Sequence, residues 1–222
     1  MRRTILIIAA TATLAATGWA AARGTSTHPT PATPAAHQPP SQTAATHQHL
    51  SQLTPTTSSH RRDLAAQLAR ARLATARYAT SLQAAKADGY QIITRMIPDM
   101  GWHFLNPTVE GFDVTRPPIL VYERRGRSWQ LGALEWVFPT RPATPPLPGA
   151  TYGSFAAACH YKDGTFVPAS SQDQCPTRSP ETGARFNFWH PDLVTLHVWL
   201  WYPNPAGLYS GINPYVQPFN RG

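Results

Sequence analysis

Two histidines and a glutamate are the residues of this chain best placed by type to do chemistry. His197 lies in Val194–Trp201, where strand alternation puts Val194, Leu196, Val198 and Leu200 on one face and Thr195, His197, Trp199 and Trp201 on the other. Glu135 is the only acid in Trp129–Phe138, and it shares a face with Trp129, Leu131, Ala133 and Val137. A carboxylate among apolar neighbours is costly to bury unless it is paired or bound to a metal. His103 sits in the aromatic, extended segment Gly101–Asn106, and His190 stands beside Trp189. If His103, Glu135 and His197 converge, with His190 as a further candidate, they offer imidazoles and a carboxylate suited to Zn, Fe(II), Mn or Cu, with positions left for water or substrate. The chemistry would be metal-activated water, or oxygen chemistry at iron. The plainer expectation has each histidine hydrogen-bonded within the fold and Glu135 paired with Arg95 or Arg116. No close-spaced ligand motif of the HExxH kind is present.

A second reading rests on the tryptophans. Trp129, Trp136, Trp199 and Trp201 could form an outward ladder that stacks on the rings of a cell-surface carbohydrate or similar ligand, with Trp199 and Trp201 as its binding residues. Against it, large aromatic side chains more often fill cores. Other signatures are missing: there is no GxSxG elbow and no phosphate-binding glycine loop, and the acids are too scattered to nominate a glycosidase pair.

The elements that must position these residues begin with a helix over Arg61–Lys86. Leu64, Leu68, Ala71, Thr75, Tyr78, Leu82 and Ala85 recur at spacings of three and four and form one apolar face, with Ser58 or Ser59 as cap and Gly89 as terminator. Thr75 is the polar exception on that face, and its hydroxyl can bond back to the helix. Extended runs follow at Tyr90–Met96, Gly101–Asn106, Pro118–Glu123, Trp129–Phe138 and Val194–Trp201, with a hairpin turn at Arg124–Ser128. Pro139–Pro148 reads as a surface loop, and Gly149–Arg185 as loops tied together by a disulfide. One helix followed by mostly antiparallel strands predicts an α+β domain with the helix against a sheet, possible in a strongly curved or barrel-like form.

Composition divides the chain into three parts. Residues 1–22 read as a secretory signal: Arg2 and Arg3, the apolar Thr4–Ala16, then Ala20–Ala22 as a cleavage site. The alternative is an uncleaved anchor, though the apolar run is shorter than the roughly 20 residues of a membrane span. Residues 23–60 hold six prolines and neither an aromatic residue nor an acid, the composition of a disordered linker. Its histidines (His28, His37, His47, His49, His60) could scavenge metal weakly. Residues 61–222 suit one globular domain. In an oxidising compartment Cys159 and Cys175 are expected to pair, although two free thiols, or a metal site at Cys159–His160, would also fit the sequence. The net charge is +8, and three of its cations (Arg2, Arg3, Arg23) lie outside the domain. The rest are dispersed, which excludes a nucleic-acid stripe and leaves at most attraction to an anionic cell-envelope surface. After the leader no stretch is apolar enough to cross a bilayer.

The segments Asp99-Met100-Gly101-Trp102-His103-Phe104-Leu105-Asn106-Pro107, Arg116–Glu123, Leu134-Glu135-Trp136-Val137-Phe138 and Leu196-His197-Val198-Trp199-Leu200-Trp201, with Asn204-Pro205-Ala206-Gly207 and Asn213-Pro214, together resemble a family of exported bacterial proteins with no assigned activity. The resemblance covers most of residues 61–220. It implies a stand-alone exported domain and transfers no catalytic residue.

Overall fold

The computed structural model describes residues 55–220. The signal-like segment and most of the linker lie outside them. Helix α1 spans Pro55–Thr75, so it starts inside the stretch read as linker, and Ser58 and Ser59 stand within it and do not cap it. A single 3-10 turn, Ala76–Tyr78, separates it from α2, Leu82–Ala87. The expected continuous helix therefore breaks. At the break Thr75 donates its hydroxyl to the Ala71 carbonyl (2.8 Å), a back-bond that competes with the helical ladder. Ser81 then caps α2 by accepting from the Ala84 N–H at 3.1 Å. Gly89, at φ +97°, ends the segment as expected.

Nine strands follow, all paired antiparallel: β1 Gln91–Ile97, β2 Gly101–Leu105, β3 Ile119–Arg125, β4 Ser128–Phe138, β5 Gly153–Phe155, β6 Ala158–Tyr161, β7 Phe166–Pro168, β8 Phe186–His190 and β9 Leu193–Val198. Six of them form a sheet in the order β1-β2-β3-β4-β9-β5 that curls into a half-barrel, and β7-β6-β8 form a small second sheet. The domain is thus α+β, with its helix at the N-terminal side of the ordered part. The short strands β5, β6 and β7 arise where loops were expected. At three or four residues they are too short to carry a period, and their pairing is set by neighbours distant in sequence.

The two faces of the large sheet bury different things. Toward the helices lie Phe104, Leu120, Tyr122, Leu131, Leu134, Trp136, Leu196 and Val198, packed with Ala71, Tyr78, Leu82 and Ala85. The opposite face carries Ile93, Ile119, Val121, Ala133 and Trp199, closed by Val216 of the C-terminal 3-10 segment Pro214–Phe219 and by Phe188 of the small sheet. The disulfide Cys159–Cys175 ties β6 to the loop after β7. Among the described residues no helix is long and apolar enough to cross a membrane.

A bulge decides which β4 residues reach which face. Val121 opposes Ala133, but the next residue, Tyr122, opposes Leu131, so Gly132 is the extra residue. Trp129 and Leu131 consequently pack on the helix side, while Ala133, Glu135 and Val137 turn to the other side. The uninterrupted five-residue face read from the sequence is corrected by this one residue. A similar break follows β9: the Trp199 N–H bonds the Leu208 carbonyl, and the Trp201 N–H bonds that of Gly132, each at 2.9 Å. Trp201 therefore leaves the His197 face and packs on the helix side, where its Nε1–H donates to Thr75 Oγ1 (3.0 Å) and Arg72 lies 4.6 Å above its ring.

Candidate functional site

The face turned away from the helices brings His103, Glu135 and His197 together. Strand register does most of this. Glu135 on β4 lies directly opposite His197 on β9, and opposite Ile119 on β3. His103 on β2 faces Val121, which faces Ala133, one row along. Directly opposed side chains on antiparallel strands stand about 5 Å apart at Cβ, so two rows of the sheet suffice to gather the three.

All three side chains are buried. His103 Nε2 stands 3.5 Å from Glu135 Oε2. The expected arginine partners of Glu135 are engaged elsewhere or absent from it: Arg95 pairs with Asp163. Thr94, opposite His103, fixes that ring. Its Oγ1 accepts the His103 backbone N–H (3.2 Å) and shares a 2.8 Å hydrogen bond with Nδ1. When Nδ1 donates to the hydroxyl, Nε2 presents its lone pair toward Glu135, the tautomer a metal ligand needs. His197 is different: it is 4% exposed, and neither ring nitrogen has a hydrogen-bond partner. Its ring lies 6.3 Å from that of His103 and 5.0 Å from that of Trp199.

Burial makes this trio electrically neutral. It pushes the Glu135 carboxyl up to about 8. It pulls His103 down to about 4, the ring's interaction with the Gly101 carbonyl opposing and the charge of His160 adding to the effect. His197 falls to about 3 through burial first and the His103 charge second. At neutral pH the trio holds two uncharged imidazoles and a protonated carboxyl.

The fit to one ion is incomplete. Two imidazoles on one tetrahedral ion keep their ring centres about 5 Å apart, given metal–nitrogen bonds near 2 Å. The 6.3 Å between His103 and His197 exceeds that. Among the described residues no three or more His, Cys, Asp and Glu side chains are gathered closely enough to hold a metal ion as they stand. His190 is not brought to the trio by any direct contact: its ring nitrogens meet His160 and the Pro191 carbonyl.

Nor do the tryptophans form an outward ladder. Trp199 is 4% exposed, its Nε1–H donating to the Ser210 carbonyl (2.7 Å). Trp136 is fully buried, and Trp201 lies on the opposite side of the sheet from Trp199. Cys159 and Cys175 are bonded to each other, so the thiol alternatives fall away.

Two residues escaped the sequence reading, and a third, His160, entered it only as a partner of Cys159. Thr94 shows only as a polar residue in a strand. His160 follows Cys159 in a segment expected to be loop. Glu123 was taken as a strand end, yet it is almost wholly buried with Oε1 unpartnered, and burial, then the charge of Asp99, raises its carboxyl to about 8. Glu123 lines a cleft of about 780 Å³ with Trp129, Tyr202, Arg125, Arg127 and Lys86. None of the histidines opens into that cleft.

Comparison with known proteins identifies no relative: no family model, no curated protein and no solved structure matches the chain.

Proposed function

We propose that the domain binds a first-row transition-metal ion through His103, Glu135 and His197, and that it does so outside the cytoplasm. One observation carries the metal reading: His197 is a buried imidazole bonded to nothing. A buried polar group without a partner costs about 1–3 kcal/mol, and a bound ion is one reason that such a group is retained. Glu135 directly across the strand pair and the Thr94-oriented His103 supply the other donors. Binding draws His197 inward by roughly 1 Å, to the spacing of two imidazoles on one ion. The resulting site is enclosed, so it suits holding an ion, or chemistry on a molecule the size of water or dioxygen, and does not suit a polymer substrate. The disulfide and the signal-like residues 1–22 support the extracytoplasmic placement.

The test is metal content of the full chain after dialysis against Zn(II) and Cu(II), for wild type and for His103→Ala, Glu135→Gln and His197→Leu. Each substitution is expected to remove one equivalent. In the metal-free chain His197→Leu is expected to be neutral or stabilising, by about 1–2 kcal/mol in denaturant titrations, because the orphaned nitrogens go. Unchanged metal content in all three variants sinks the reading.

A further inference from the structure

The small sheet holds a second pair of imidazoles, and their hydrogen bonds leave an electrostatic conflict. Ala158 opposes His190 and His160 opposes Phe188 across β6 and β8, which sets the two histidines diagonally on one face. His160 is fully buried and His190 is 9% exposed. His160 Nδ1 meets the Ile93 carbonyl at 2.7 Å, and His190 Nδ1 meets the Pro191 carbonyl at 2.6 Å. A peptide carbonyl only accepts, so each Nδ1 carries its ring hydrogen. A neutral ring then has a bare lone pair at Nε2. The two Nε2 atoms face each other 3.0 Å apart. Two lone pairs at that distance repel, and neither ring has another hydrogen to offer. A cation between them resolves the conflict.

That cation is either a proton or a metal. A proton would create an imidazolium among Phe155, Phe166 and Phe188, the last stacked on His160 at 4.7 Å. Charge in such a place is disfavoured unless it brings ligands of its own, as a partly hydrated metal ion does and a proton does not. A metal ion suits the separation of the two nitrogens. With metal–nitrogen bonds near 2 Å, a 3.0 Å separation gives an angle of about 95° at the ion, that of adjacent ligands in a tetragonal site. The ring centres lie 5.0 Å apart, the spacing that His103 and His197 lack. The carbonyl bonds at both Nδ1 atoms are the supporting contacts that orient metal-binding histidines.

We propose that His160 and His190 form a second transition-metal site, of the kind that takes Cu(II) or another tetragonal ion through two Nε2 atoms, with its remaining positions filled by water or a small ligand. The pair shares no residue with the His103–Glu135–His197 set and does not depend on it. The experiment is Cu(II) binding to the full chain by calorimetry, with glycine as a competitor to mask the weak linker histidines, for wild type, His160→Gln, His190→Gln and His197→Leu. His160→Gln and His190→Gln are each expected to abolish one tight equivalent, which His197→Leu keeps. Loss of the equivalent in His197→Leu alone would leave the proposed function standing and overturn the pair. Tight binding unchanged in His190→Gln overturns the pair as well. If His160→Gln does not fold, the Cu(II)-dependent rise in melting temperature is compared between wild type and His190→Gln; an equal rise also overturns the proposal. Nitrogen-15 spectra of the metal-free chain give an independent readout: bare Nε2 signals on both rings support it, and a proton shared between the rings sinks it.

Discussion

Glu123 shows how one side chain can set the pH response of the domain without joining the histidine sites. Its carboxyl is raised to about 8, so in the folded chain it keeps its proton where the unfolded chain has lost it. The group contributes stability that is fully present below the ordinary carboxylate range, near 4.5, and that is lost as pH rises through about 8. Glu123→Gln, which mimics the protonated form, is expected to match wild type in acid and to exceed it above about pH 8, by roughly 1–3 kcal/mol in urea titrations. Parallel pH profiles for the two proteins would refute this account. Gly101 belongs to the same arrangement: a Cβ there would meet Glu123 Oε1 at 2.6 Å and the Tyr122 carbonyl at 2.7 Å, and its φ is +109°. The sequence made His103, Glu135 and His197 legible because each interrupts an apolar strand. It left Glu123 illegible because that residue stands near the end of a strand in ordinary polar company, and it offered His160 only as a neighbour of Cys159, since a strand of four residues has no readable period.

At the scale of elements, the bulge at Gly132 controls the site. It sends Glu135 to the histidine side and Trp129 to the helix side, and its carbonyl accepts the Trp201 and Tyr202 N–H groups. A Cβ at this position would stand 3.2 Å from Trp199 Cζ3, in a packed core with little room to yield. Gly132→Ala is therefore expected to cost about 1–3 kcal/mol through overpacking, and to displace Trp199 from its place beside His197. A melting temperature equal to that of wild type would count against this. The strands themselves were readable: five of the expected extended runs match β1, β2, β3, β4 and β9 to within a few residues. Their faces were only partly readable, because alternation holds between irregularities and a single extra residue inverts everything beyond it. Thr75 teaches the same lesson for the helix. Its position on the apolar face was evident, but the break after it depends on the back-bond to Ala71 and on a Trp201 ring from the far end of the chain.

Across the whole molecule, the half-barrel is a framework with one side closed by helices and the other by the small sheet and the C-terminal segment. The small sheet is cross-linked by the covalent bond between Cys159 and Cys175, which lie 16 residues apart in sequence. Reduction is expected to lower stability by about 3 kcal/mol. Hydrogen exchange should then quicken in β6 and β7 first, while β3 and β4 stay protected, since local opening follows local contact density. Equal acceleration across both sheets would show that the two do not open separately.

The contact between His197 and Trp199 has a spectroscopic consequence. The indole is buried and its Nε1–H is bonded to a carbonyl, so Trp199, together with the fully buried Trp136, contributes a shielded emission distinct from that of the half-exposed Trp102, Trp129 and Trp201. A paramagnetic ion held by the imidazole, whose ring centre lies 5.0 Å away, would quench the Trp199 emission. The chain thus carries an intrinsic optical reporter at its own candidate ligand, and occupancy of His197 can be followed in the unlabelled protein.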